Sequence, residues 1–268
     1  MDQSESRSFP FLASPGQAFF ALVLIANGIS SFIKGDFESI WTGGPVATPG
    51  RIALVYMCAA VLFLGGLGLL CRRTAAIAAG TLLVYFTLWL LFLRIPTLIY
   101  SFQVDTWWAV CKTMVMIGAS WVLYSWFSSR RSPELIVGTT GGRIAQSLYG
   151  LALIPFGIAH FLYLQVTSDL IPAWLPGHIE LACFTGVTFI LAGIAIVAGV
   201  MGRIAAALSA LQMGLFSLIV WVPIVLAGNA TPFQWGEFSV TWLLTAAGWV
   251  IAESYKRNSV PRSTETSA

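Results

Sequence analysis

SLYGLALIPFGIAHF, residues 147–161, decides how the whole chain is read. It is an apolar stretch interrupted by Pro155 and Gly157, and it ends beside His160. The chain has two histidines, and only this one lies inside an apolar span. A fainter copy stands in the first quarter of the chain. Leu22–Ile25 matches Leu151–Ile154, Gly28 and Ile29 match Gly157 and Ile158, and Phe32 matches Phe161, all 129 residues apart. Ser31 stands where His160 stands in the second copy.

Composition supports a membrane reading. The 268 residues are 57% hydrophobic and only 9% charged, against about a quarter charged in an ordinary soluble domain. Apolar segments of about 20 residues are long enough to cross a bilayer as helices. Lipid offers no partner to a bare backbone amide, so each must be helical. Eight such segments are expected: 9–33, 52–71, 74–93, 107–127, 143–165, 179–200, 203–228 and 236–254. Arg94, Pro96, Asp105 and Trp107–Trp108 are expected in the turn after the third. The first segment lacks a basic start and a small-residue cleavage site, so it reads as a retained helix.

Charge placement orients the helices. With the N-terminus inside, the inner segments carry Arg7, Arg72, Arg73, Arg130, Arg131, Arg143, Arg203, Lys256, Arg257 and Arg262. The outer side carries Lys34, Arg51, Arg94 and Lys112. That bias puts both termini in the cytoplasm of a multi-pass inner-membrane protein. The net charge of +3 is small and argues against a nucleic-acid partner. The cysteines Cys58, Cys71, Cys111 and Cys183 form no C-x-x-C pair and read as packing residues.

The repeat continues along the chain. Pro49-Gly50 matches Pro176-Gly177, Gly66 matches Gly193, Arg73 matches Arg203, and Pro96 matches Pro223. Trp107, Thr113 and Trp121 match Trp235, Thr241 and Trp249, with every offset between 127 and 130. Ordered Pro, Trp and Arg matches are hard to obtain from an apolar alphabet by accident. The expected architecture is all-α, two tandem four-helix bundles: residues 1–127, a cytoplasmic linker 128–142, residues 143–254, and a disordered tail 255–268. Four spans is an even number, so both copies share one orientation and their pseudo-axis lies along the membrane normal. Small residues at Gly150, Gly157, Ala182, Gly186 and Gly193 are expected to let helices approach closely.

The stretch Gly150–Phe161, followed by Pro172-Ala-Trp174-Leu-Pro176, the glycine-rich sixth span and Arg203-Ile-Ala-Ala, resembles the DoxX-like family of bacterial membrane proteins. The resemblance covers 143–254 well and 17–127 weakly. It implies a bundle of four transmembrane helices per unit. It also implies association with redox or envelope processes, since some relatives are small subunits of quinone-linked sulfur oxidoreductases. No flavin fingerprint or nucleophile–base set is visible, so a self-contained enzyme is not expected.

Few residues can carry chemistry. His160 is expected near the outer interface, just beyond the Pro155 break, where it could hydrogen-bond a quinone or relay a proton. An interfacial hydrogen bond to its own protein is the plainer reading. His178, Glu180 and Asp169 could converge on His160 at one outer mouth, yet no helical metal-ligand spacing supports a metal there. Lys112 and Glu237 lie at similar depth in the two halves, and a pair between them would mark an outer vestibule; snorkelling is the competing reading. Arg94 is expected to end the third span. Asn27 reads as an interhelical hydrogen-bonding group. Trp41, Trp107, Trp108, Trp174 and Trp235 map to an outer aromatic belt. Two functional classes follow: a non-catalytic membrane subunit or scaffold, with another membrane or redox subunit as partner, and a small-solute transporter. A transporter should show a polar midplane with interrupted helices, and here the midplane reads as nearly bare.

Overall fold

The computed structural model describes residues 14–37, 49–128 and 134–258. Arg7, Glu38, Trp41, Pro45, Arg130, Arg131, Pro133, Arg262, residues 1–8 and residues 259–268 of the expected tail lie outside them. Within them the chain is all-helical. Eight long helices follow in order: α1 Pro15–Lys34, α2 Arg51–Leu70, α3 Ala75–Tyr100, α4 Val104–Phe127, α5 Thr139–Leu162, α6 His178–Ala198, α7 Gly202–Leu226 and α8 Pro232–Asn258. The first seven are long and apolar enough to cross a membrane, which is compatible with a multi-pass membrane protein. The eighth is 27 residues long but carries Glu237, Glu253, Lys256 and several Thr, Ser and Trp residues. Its position explains this composition. Val240, Leu243, Ala246, Ala247, Val250 and Ile251 are all buried, so much of its surface meets protein rather than lipid. The outward faces of other helices are apolar, as Leu64, Ile77, Leu191 and Leu208 illustrate.

Each helix packs on the next one in the chain, and α8 closes the ring by packing on α1. In addition α4 and α8 meet across the middle. The helices therefore enclose two lobes that share α4 and α8 as a central wall. Helix α4 also packs on α5 and helix α8 on α1. Call the end where α1 begins the near end and the end where α1 stops the far end.

Close approach is achieved in the same way at matched positions. A Cβ on Gly28 would lie 2.9 Å from the Ala59 carbonyl and 2.8 Å from the Phe63 nitrogen. A Cβ on Gly157 would collide with the Gly186 carbonyl and lie 2.6 Å from Ile190. Likewise a Cβ on Gly66 would stand 2.6 Å from the Ala21 carbonyl, and one on Gly193 2.6 Å from the Gly150 carbonyl. The α1–α2 and α5–α6 crossings are thus backbone-to-backbone contacts, the arrangement small residues permit where burial from water cannot drive association. Gly50 and Gly177, at φ 76° and 71°, open α2 and α6 from the left-handed region, which glycine enters without steric cost.

Three expectations are corrected. Arg94 and Pro96 do not form a turn: the helix runs on to Tyr100 through a π-turn at Leu90–Arg94. The Ile95 N–H bonds the Leu90 carbonyl, an i→i+5 pattern. This widened turn lets the chain stay helical next to a proline that has no N–H to give. The same device recurs at Ser217–Trp221 before Pro223, where the Val222 N–H bonds the Ser217 carbonyl. The linker expected over 128–142 already turns helical at Glu134–Val137, and 139–142 form the first turn of α5. Lastly, α8 runs to Asn258, so the tail begins later than 255.

The ring is fastened at the near end. The Gly16 N–H donates to Glu253 Oε1 at 3.1 Å, and the Gln17 N–H donates to Ser14 Oγ at 3.1 Å. The α8 carboxylate thus sits on the start of α1, where unsatisfied amides and the helix dipole favour negative charge. Glu253→Ala is expected to destabilise the fold by about 1 kcal/mol, and Glu253→Gln by less. Thermal unfolding of the purified protein in detergent reads both.

Candidate functional site at the far end of the central wall

Lys112 lies two turns into α4 and Glu237 little more than one turn into α8. Lys112 Nζ donates to Glu237 Oε1 at 2.7 Å, with the side chains 14% and 20% exposed. The expected pair between the halves is therefore formed, and it lies in the wall that both lobes share. Trp108, one turn above Lys112, places its ring centroid 5.1 Å from Nζ, a cation–π distance. The same indole lies 6.4 Å from Phe156 on α5. Four residues further along α5 stands His160.

His160 Nδ1 lies 2.8 Å from the Phe156 carbonyl oxygen, and its ring centroid lies 5.5 Å from that of Phe189. A carbonyl only accepts, so Nδ1 carries the proton. In the neutral ring Nε2 is then an acceptor. The ring is half-buried at the α5–α6 crossing, where the His160 Cβ stands 3.0 Å from the Cβ position of Gly186. Pro155 sits within α5, which continues to Leu162.

Among the described residues, no group of three or more His, Cys, Asp or Glu lies close enough to share a metal ion. Asp169 is exposed and accepts from Gln165 at 2.8 Å. Glu180 is exposed beside Gly177, and His178 opens α6 two turns from the Gly186 level at which His160 packs. Arg94 is only 6% exposed, at the end of its π-turn. Asn27 donates to the Val23 carbonyl of its own helix at 2.8 Å, leaving Oδ1 buried without a partner. It does not make the interhelical bond expected of it with this donor. Trp174 and Trp235 are exposed and Trp107 and Trp108 partly so.

Sequence reading missed the buried hydroxyls at mid-depth. Tyr149 Oη and Ser209 Oγ lie 2.9 Å apart with both residues buried. Ser120, Ser217 and Thr245 are buried as well. The midplane is therefore not bare. The signal was available as a four-residue spacing along α8, Glu237–Thr241–Thr245, which puts these groups on one helix face. Away from the membrane-length segments, the Cys71 thiol in the α2–α3 turn is held below its ordinary value, first by the Arg73 backbone amide and then by the Thr74 hydroxyl.

No protein-family model, curated protein or solved structure matches the chain.

Proposed function

We propose that the chain is a DoxX-like protein of a bacterial inner membrane that crosses it eight times as two four-helix repeats, with both termini cytoplasmic. In this reading it is a non-catalytic subunit or scaffold of a redox or envelope assembly, and His160 is its contact point for a quinone in the reduced, quinol form. One observation carries the quinone contact: Nδ1 is committed to the Phe156 carbonyl, which leaves Nε2 as an acceptor beside the Phe189 ring. An acceptor suits the hydroxyl of the reduced quinol, whereas a quinone carbonyl needs a donor. Support for the repeat comes from the paired crossings at Gly28 and Gly157, Gly66 and Gly193, and the two π-turns 127 residues apart.

His160→Phe should leave the protein folded and inserted while removing bound quinol. Native mass spectrometry of the protein gently extracted from its own membrane reads this directly. Equal quinol occupancy in wild type and His160→Phe would sink the proposal.

The second reading is a small-solute carrier. The specific observation favouring it is the pair of π-interrupted helices flanking an ion pair in the shared wall. Against it stands the ring closure: α4 packs on α5 and α8 on α1, so parting the two repeats would have to break both contacts. Solute uptake into proteoliposomes, present with wild type and absent with Lys112→Ala, would favour the carrier.

A further inference from the structure

We propose that the near end of the second lobe binds the phosphate of an anionic phospholipid, held by Arg143 of α5, Arg203 of α7 and Lys256 of α8. The inference rests on the membrane-spanning reading above, which puts this end at the cytoplasmic surface of the bilayer.

Packing brings the three cations to one place. Arg143 lies in the second turn of α5. Its Nη2 stands 2.8 Å from the Cβ position of Gly199 and its Nη1 3.3 Å, so the guanidinium lies over the residue that caps the end of α6. The C-terminus of a helix attracts positive charge, which holds it there. Gly199 at φ 77° and Met201 at φ 51° then turn the chain into α7, whose second residue is Arg203. Tyr255 Oη stands 2.5 Å from the Cβ position of Gly202, so the end of α8 packs on the start of α7. Lys256 follows Tyr255 directly.

Exposure and pairing set these cations apart from those at the far end. Arg143, Arg203 and Lys256 are all exposed. Among the described residues, neither Arg143 nor Arg203 makes an ion pair. At the far end Arg51 is paired with Asp36 and lies over the Phe37 ring, Lys112 is paired with Glu237, and Arg94 is buried. Glu253, three residues before Lys256, is committed to the Gly16 N–H of α1. The neighbours of the arginines point to a lipid rather than a soluble anion. Ile144 follows Arg143, Val200 and Met201 lie in the turn before Arg203, and Ile204 follows it, and all four are exposed. A guanidinium fork matches a phosphate, and exposed apolar side chains beside it match the acyl chains below. Basic groups between helix ends at a membrane surface take anionic headgroups in this way.

The first lobe supplies a control of equal charge. Arg73 matches Arg203, and Arg72 stands beside it, both exposed in the α2–α3 turn. At offsets of 127 to 130 no cation stands opposite Arg143 or Lys256. Arg72 and Arg73 therefore offer charge from one turn, whereas the second lobe offers it from three elements that converge.

Native mass spectrometry of the full chain in a non-ionic detergent, titrated with phosphatidylglycerol or phosphatidylcholine, tests this. Wild type is expected to take up phosphatidylglycerol in preference to phosphatidylcholine. At about fivefold per cation, Arg203→Gln/Lys256→Gln should weaken phosphatidylglycerol binding about 25-fold. Arg72→Gln/Arg73→Gln removes the same charge and should change it by less than about twofold. Arg143→Gln should weaken it about fivefold and also lower thermal stability, because its guanidinium covers the end of α6. Equal losses in the two double variants would mean diffuse attraction and overturn the site, as would equal uptake of the two lipids by wild type. Displacement of the lipid by excess inorganic phosphate would overturn the lipid in favour of a soluble anion. If Arg203→Gln/Lys256→Gln does not fold, as thermal unfolding in the same detergent reports, Arg203→Gln alone is read, with a loss of about fivefold expected. A wild-type protein that stays monodisperse without detergent overturns the membrane reading, and the site with it.

Discussion

Gly157→Ala is expected to lose about 3 kcal/mol of stability, the upper end of what one forced methyl costs in a packed interior. The argument is geometric. The added Cβ would meet the backbone carbonyl of Gly186 and stand 2.6 Å from Ile190. A flexible side chain could swing aside; a helix backbone cannot, so α5 and α6 must separate along the crossing. Separation also opens the contact at Gly193, where a Cβ position lies 2.6 Å from the Gly150 carbonyl. His160 rides on the same crossing, one turn beyond, so its place against Phe189 is lost with it. Gly28→Ala is expected to cost somewhat less, because its nearest backbone neighbours would stand 2.8 and 2.9 Å away. Thermal denaturation of both variants in one detergent checks the order. Gly157→Ala as stable as wild type would mean that α5 and α6 do not cross there.

Breaking the central ion pair should cost nearly as much. Removing one partner of an enclosed pair leaves the other charge without compensation, which typically costs 3–5 kcal/mol. With side chains 14% and 20% exposed, some water reaches this pair, so about 2–4 kcal/mol is expected for Lys112→Ala or Glu237→Ala. Lys112 has the Trp108 ring as a second partner, so stranding the lysine through Glu237→Ala is expected to be the milder of the two. The double variant Lys112→Met/Glu237→Gln should recover most of the loss, since two neutral groups of similar size need no counter-charge. A double-mutant cycle on thermal stability gives the coupling. Additive single effects would mean that the two charges act separately, each snorkelling to the interface.

These two predictions probe different layers of the same chain. Crossings at Gly28, Gly66, Gly157 and Gly193 were legible as repeated small residues in apolar spans, because only helices can span lipid and only small residues let two backbones touch. The Lys112–Glu237 pair was legible as equal depth in corresponding spans. The fate of Arg94 was not. A charge followed by Pro96 reads as the end of a helix, since proline removes an i→i+4 bond. The π-turn resolves that conflict by shifting the bonding register, and Pro96 and Pro223 alone did not reveal it. The buried hydroxyls were missed for a related reason. Thr241, Thr245 and Ser209 bond carbonyls of their own helices, so they sit in an apolar span without lowering its hydrophobic character much.

By itself, the amino-acid sequence determined that the regular structure of the described residues is helical and where most helices start and stop. Those properties are local, set by apolar length and by proline and glycine. Tertiary structure alone decided that α8 closes on α1 and that α4 and α8 form a shared wall. It also decided which nitrogen of His160 is occupied. Each of these depends on which helix faces which, and a periodic apolar pattern states only that a face is buried, never against what.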